Sequence, residues 1–244
     1  MLNYIYAELN RVKKSKSIIV FSLLSLFAIG LTYFIYLYNE NPSAAGYLNG
    51  IGKLVKSFIV FIACIIYYGV FKKSSETKNY IQRGYSRVNL VIGDIIVIMI
   101  FAIIFSILLS LISIGVSYLF PQVGDSTYII DFVRTVVFAN FILLLMVISS
   151  EMIYILTDSS GITVAFTFLA YLLLYQICFV FQQSDIELLA NIAKFIVKVS
   201  PMKFMNSTPL PLMEMIKLDG FLSMVIIHLV FLVGSIFFIK RKNI

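Results

Sequence analysis

The stretch Ile95 to Phe120, IIVIMIFAIIFSILLSLISIGVSYLF, holds 26 residues without a single charge, and its reading decides the fold. As a helix it is about 39 Å long at 1.5 Å per residue, more than the roughly 30 Å hydrocarbon core of a bilayer. It does not alternate with period two, so it is no barrel strand, and it has no polar face to turn toward water. Ser17 to Tyr38 and Ser159 to Ser184 are uncharged in the same way, and Phe221 to Ile239 is apolar before Lys240, Arg241 and Lys242. The run from about Thr135 carries only Glu151, near its far end. Ser57 to Phe71 is short, and reaches spanning length if it begins near Ile51 with Lys53 and Lys56 snorkelling to the interface.

The expectation is therefore an all-α membrane protein with six transmembrane helices, at about 17–38, 51–71, 95–118, 135–157, 160–183 and 221–239. Together residues 17–239 form one membrane domain, between an N-terminal segment 1–16 and a basic tail 240–244. Composition agrees: 61% of the 244 residues are hydrophobic and 13% are charged, where a soluble domain carries about 25%. This excludes a soluble enzyme, a nucleic-acid-binding domain and a large aqueous domain. Cys64 and Cys178 both fall in apolar runs and read as small core residues, not as a disulfide or a metal site.

Basic residues set the topology. With the N-terminus inside, Arg11, Lys13, Lys14, Lys16, then Lys72, Lys73, Lys78, Arg83, Arg87, then Lys240, Arg241 and Lys242 are cytoplasmic, twelve of the 19 Lys and Arg. Both termini are expected in the cytoplasm of a cell-membrane protein. The first apolar run is too long for a signal-peptide core of 7–15 residues, so it is expected to stay as a span.

Three polar segments lie outside the spans. Residues 1–16 place Leu2, Ile5, Leu9 and Val12 at helical spacing with Glu8, Asn10, Arg11, Lys13 and Lys14 as polar positions, which predicts an amphipathic helix on the inner leaflet. Residues 72–94, KKSSETKNYIQRGYSRVNLVIGD, offer Ser75 as an N-cap with Glu76 in the first turn, Gly84 as a helix stop, and Ser86 as the cap of the next helix. They predict a short cytoplasmic helix between spans two and three, the alternative being an ordinary topogenic loop. Residues 185–220 mix Ile186, Leu189, Ala190, Ala193, Phe195, Ile196 and Val197 with Lys194 and Lys198, and Pro201, Pro209 and Pro211 break any long helix. A second apolar turn, Leu212 to Ile216, follows. This reads as a re-entrant or interfacial hairpin on the outer side, or else as a covering loop.

Catalytic chemistry is sparse. The ionisable groups at membrane depth are Asp94, Glu151 and His228, and for His228 a helix–helix hydrogen bond is the plainer reading. With one His there is no HExxH, and there is no GxSxG or CxxC. The only Gly-Lys, Gly52-Lys53, lacks the Gly a P-loop needs at Tyr47 and the Ser or Thr it needs at Leu54. No cofactor, metal or catalytic residue is expected on this chain, and no nucleic-acid partner.

The segment Glu76-Thr77-Lys78-Asn79 through Arg83-Gly84-Tyr85-Ser86-Arg87 resembles a motif of ABC-2-type transporter permeases. The resemblance is to small permeases of peptide exporters and of self-protection systems for lantibiotics or phenol-soluble modulins. In that family a segment E-x-(G)-T-x-K/R, five residues, then G-x-S/T-R forms the coupling helix; here Thr77 follows Glu76 without the usual Asn-Gly. The resemblance implies that Glu76, Thr77, Lys78, Asn79, Arg83, Gly84, Ser86 and Arg87 couple to two copies of a separate P-loop ATPase that carries the ATP and Mg. It also implies a second permease copy or related permease, a peptide substrate, and a seam at spans two and five. Tyr67, Tyr68, Thr163, Thr167, Tyr171, Tyr175 and Gln176 are the expected seam or substrate-path residues, the alternative being interface aromatics and helix-packing small residues. The implied function is export of amphipathic or hydrophobic peptides. The other readings are a membrane-embedded peptide-binding or immunity protein that works without ATP, and an ion-coupled carrier using Asp94, Glu151 or His228.

Overall fold

The structure, a computed structural model, describes residues 1–14, 16–39, 42–55, 79–82, 84–121, 127–205 and 219–241. All its described elements are helices. In chain order they are α1 (Leu2–Lys13), α2 (Lys16–Leu37), α3 (Ala44–Leu54), α4 (Arg87–Ser117), α5 (Thr127–Thr157), α6 (Ser160–Phe168), a π-helical turn (Leu169–Leu173), α7 (Leu174–Phe181), α8 (Glu187–Val199), α9 (Pro201–Met205) and α10 (Phe221–Arg241). Residues 79–82 are also helical. Among the described residues four helices are long and apolar enough to cross a membrane: Arg87–Ser117, Thr127–Thr157, Ser160–Phe181 and Phe221–Arg241. In the first predicted span the apolar helical stretch is Ser22–Leu37. Most of the second predicted span lies outside the described residues.

Element limits differ from the hydropathy limits for physical reasons. α4 starts at Arg87, eight residues before the expected 95, because Ser86 in extended backbone accepts the Asn89 amide and opens the helix there (3.2 Å). α5 starts at Thr127 instead of 135, and its surplus polar turns carry an exposed Asp131–Arg134 ion pair at 3.0 Å. Each of these helices has 31 residues, about 46 Å, so each overhangs a 30 Å core by several turns. α3 begins at Ala44, seven residues before the expected 51, where Ser43 caps the Gly46 amide at 3.1 Å.

α5 is the hub: Leu145 through Glu151 are buried without interruption, which requires neighbours on every side. It packs against α10, α4, α6 and α3. α2 instead buries a single stripe, Ser25, Ile29 and Thr32, and exposes Leu23, Leu24, Phe27, Leu31, Phe34 and Ile35, as a lipid-facing helix does. Between α5 and α6 the chain reverses over Asp158 and Ser159. Asp158 takes φ 53°, a left-handed position that Asp tolerates, and Ser159 caps the Ile162 amide at 3.3 Å.

The two ends of the bundle have different character. At one end α1 packs on α4, and Arg87 at the start of α4 donates to the carbonyls of Ile239 and Lys240 at the end of α10 (3.4 and 3.2 Å). α1 and the last turn of α10 therefore share that end. At the other, Tyr47 stacks on Phe120 (5.1 Å between ring centres), with Tyr33 and Tyr36 beside them. There α8 lies across α7 and α10, burying Ala190, Ala193 and Val197 and exposing Leu188, Ile192 and Phe195. Within the segment expected to form the outer hairpin, a helix with one buried and one exposed apolar face is thus present over Glu187–Val199. Pro201 opens α9, while Pro209, Pro211 and the turn 212–216 lie outside the described residues.

Candidate functional site

Two polar assemblies stand out. The first joins α1, the segment entering α4, and α4 itself. The helical residues 79–82 end in a Schellman motif: Gly84 takes φ 85°, its amide bonds the Ile81 carbonyl at 3.0 Å, and the Tyr85 amide bonds the Tyr80 carbonyl at 3.1 Å. The Tyr80 and Tyr85 rings meet edge-on at 5.7 Å, the apolar contact that accompanies this motif. Gly84 and Ser86 thus do locally what their residue types predict.

Tyr80 then reaches α1, its hydroxyl donating to Glu8 Oε1 at 2.8 Å. Arg11 donates to the other oxygen, Glu8 Oε2, at 2.6 Å. Tyr4, one turn earlier, lies edge-on to Tyr80 (4.8 Å) and donates to Asp94 of α4. Its ring fits only because position 93 is glycine: a Cβ there would stand 2.6 Å from Tyr4 Cδ1. Burial pushes the Glu8 carboxyl up from its ordinary range, against the opposing pull of Tyr80 and Arg11. Glu8 was expected on the polar face of α1, but it is 1% exposed. The buried face runs Tyr4, Ile5, Glu8, Val12, and Leu2 is exposed. The face turns because Tyr80 and Arg11 together satisfy the Glu8 carboxylate, which makes its burial tolerable.

The second assembly lies inside the bundle. The π-helical turn inserts Tyr171 between α5 and α10, where its hydroxyl meets Ser149 Oγ and His228 Nε2 (3.3 Å to the latter). His228 Nδ1 pairs with the Met224 carbonyl at 2.7 Å, so Nδ1 carries the proton and Nε2 accepts from Tyr171. One turn away Ser150 Oγ and Thr167 Oγ1 are 2.9 Å apart. Asn140 and Ser106 tie α5 to α4 in the same manner, at 3.1 Å. His228 thus makes a helix–helix hydrogen bond, the plainer of its two expected roles. A π turn is the kind of local irregularity found where a side chain must be re-aimed.

Hydrogen bonds between membrane helices are worth about 0.6 kcal/mol on average and up to about 1.7 kcal/mol. Tyr171→Phe removes the hydroxyl shared by Ser149 and His228 while keeping the ring, so a stability loss of about 1–2 kcal/mol is expected. Thermal unfolding in detergent measures it. His228→Ala in the Tyr171→Phe background should then cost less than His228→Ala alone, since the two act through one hydrogen bond.

Of the residues expected to couple to an ATPase, Asn79 is exposed on the last helical turn before Gly84, whereas Glu76, Thr77, Lys78 and Arg83 lie outside the described residues. Arg87 bonds the end of α10, which makes it a structural clamp within this chain. Of the expected seam residues, Tyr67 and Tyr68 lie outside the described residues. Thr163, Thr167, Tyr171 and Tyr175 are buried inside this chain, and Gln176 is exposed. Tyr171 turns inward to Ser149 and His228 and Thr167 to Ser150, partners that lipid does not offer, while the Thr163 hydroxyl bonds the Ser159 carbonyl one turn back. Glu151 is likewise buried. The clasp residues Tyr4, Tyr80 and Tyr85 were not singled out from the sequence; the signal was Tyr4 and Glu8 one turn apart on α1, a pair that points one way. Among the described residues no group of His, Cys, Asp and Glu could hold a metal ion. No family model matches the chain, and no curated protein is significantly similar to it.

Proposed function

We propose that this chain is the permease subunit of an ATP-driven ABC-2-type exporter, which moves amphipathic or hydrophobic peptides out of the cell or its membrane. In this reading it is a six-span protein of the cell membrane with both termini cytoplasmic, and a separate pair of P-loop ATPase subunits binds ATP and Mg. The observation that carries the reading is the double tether of residues 79–85. The last turn of the proposed coupling helix is bonded to α1 through Tyr80 and Glu8, and α1 is bonded to α4 through Tyr4 and Asp94. A push delivered by an ATPase to this elbow reaches two helices at once and moves them as rigid bodies. Lys78 and Arg83 would supply charge-assisted contacts to acidic groove residues of the ATPase.

Tagged chain purified in mild detergent from its native membrane tests this. A stoichiometric P-loop ATPase is expected, lost on the double reversal Lys78→Glu with Arg83→Glu while the chain remains folded. Arg87 is left intact in this variant because it clamps the end of α10. Recovery of the chain with no ATPase, or with an ATPase that the reversal does not release, would overturn the reading. Recovery with a bound peptide alone would favour a membrane-embedded peptide-binding or immunity protein.

A further inference from the structure

The helical segment Ser160–Phe181 is interrupted at its middle by the π turn. Before the turn α6 buries Thr163 and Thr167; after it α7 buries Tyr175 and Cys178 and exposes Leu174 and Ile177. The buried residues Thr163, Thr167, Tyr171 and Tyr175 stand four apart. An α-helix turns about 100° per residue, so each four-residue step overshoots a full turn by about 40°. From Thr167 to Tyr175 a plain α-helix would therefore drift about 80° off line. The π turn absorbs this drift. The Leu174 amide bonds the Leu169 carbonyl, five residues back, which lodges one extra residue in the turn and keeps Thr167, Tyr171 and Tyr175 on one face.

The extra residue is held by bonds made outside the helix, where the Tyr171 hydroxyl meets Ser149 of α5 and His228 of α10. Without them the same residues can close as ordinary α-helix. α7 then rotates by about 80° against α6, which carries Tyr175 out toward lipid and brings Leu174 inward. Leu174 lines up with Cys178 and Phe181 at i, i+4 and i+7, a wholly apolar stripe. The second register thus has an inward face of its own. α8 rests on α7, so a turn of α7 is passed to the end of the bundle away from α1.

We propose that Leu169–Leu173 is a register switch. In the wide register the Tyr171 hydroxyl, held between Ser149 and His228, keeps Tyr175 inward; in the α register α7 has rotated and Leu174 has taken its place. The switch is internal to one chain and needs neither an ATPase nor a second copy.

The full-length chain in proteoliposomes, photolabelled by an aryl diazirine dissolved in the bilayer and mapped by mass spectrometry, tests the switch residue by residue. In the wild type Leu174 and Ile177 are expected to label and Tyr175 is not. Tyr171→Phe is expected to raise the ratio of label on Tyr175 to label on Leu174 about tenfold, while Val180, on the lipid side in both registers, keeps its label. Ser149→Ala, which removes one partner only, should give an intermediate ratio. Deleting Ala170 takes out the extra residue, so α7 keeps its present face on an unbroken α-helix. In the Tyr171→Phe background this deletion should restore the wild-type pattern. Tyr171→Phe and Ser149→Ala patterns identical to wild type would overturn the proposal. So would new label on Met146 and Met224, which are fully buried, since that means general loosening and not rotation. Equal label on Leu174 and Tyr175 in the wild type would also sink it, because the Tyr171 bonds would then hold nothing.

Discussion

Gly220→Ala is expected to cost about 3 kcal/mol or more, the sum of a forced left-handed backbone and a clash that only backbone movement relieves. Gly220 precedes α10 with φ 88°, and a Cβ there would lie 2.2 Å from the Lys198 carbonyl oxygen and 2.6 Å from Lys198 Cγ. The close approach is what lets the chain leave α8 and enter α10. Asp219 binds the Lys198 ammonium at 2.7 Å, its backbone carbonyl accepts from Lys203 at 3.0 Å, and the Gly220 carbonyl starts α10 by accepting the Met224 amide at 2.8 Å. The Lys198 contact holds the Asp219 carboxyl below its usual range, but this pair is exposed and adds little beside the glycine.

For a chain of this length the loss corresponds to a fall in Tm of roughly 6–12 °C. Two other glycines calibrate it. Gly84 has φ 85° but open space around its Cβ position, so Gly84→Ala should carry the conformational cost alone, about 1–2 kcal/mol. Gly30 lies within α2, has neither a positive φ nor a neighbour within 4 Å, and Gly30→Ala should lose nothing. The order Gly220, Gly84, Gly30 is the checkable content, and a Gly220→Ala variant no worse than Gly84→Ala would remove the clash from the account.

How much of this was legible beforehand depends on range. The long helices could be read because a run such as Ile95 to Phe120 has no other stable form in a bilayer, whatever surrounds it. The stop at Gly84 and the cap at Ser86 could be read because both act on backbone groups within five residues. The burial of Glu8 could not, because the hydroxyl that makes it tolerable belongs to Tyr80, 72 positions away. The π turn in LAYLL has no Gly or Pro to announce it; it is set by Tyr171 finding Ser149 and His228 on two other helices. The inward turn of Thr167, whose hydroxyl meets Ser150 on α5, was hidden for the same reason. Polar residues in an apolar helix point toward their partners, and the sequence of one helix does not say where those partners stand.

Gly93→Ala, a single added methyl group, is expected to unseat α1. The new Cβ would stand 2.6 and 2.8 Å from two ring atoms of Tyr4. That ring has little room to yield, being bracketed by Tyr80 and Tyr85 at 4.8 and 6.0 Å and bonded to Asp94. Overpacking costs about 1–3 kcal/mol, and breaking the Tyr4–Asp94 bond leaves a carboxylate short of a donor for a further 1–3 kcal/mol. The combined change of about 3 kcal/mol is a roughly hundredfold rise in the population of detached α1, readable as faster tryptic cleavage at Arg11, Lys13 and Lys14.

Tyr4→Ala removes the ring and should detach α1 by a different route. If the clash is the cause, the double variant Gly93→Ala with Tyr4→Ala loses less than the two single losses combined, because the methyl group then enters vacated space. Strict additivity would instead assign the Gly93→Ala loss to the α4 backbone. In the proposed transporter these variants also separate docking from transmission. Lys78 and Arg83 would make the docking contacts in that reading, while Gly93, Tyr4 and Asp94 hold α1 on α4, so Gly93→Ala should retain the ATPase and lose transport. An ATPase lost with Gly93→Ala as completely as with the charge reversal would mean that α1 itself forms part of the docking surface.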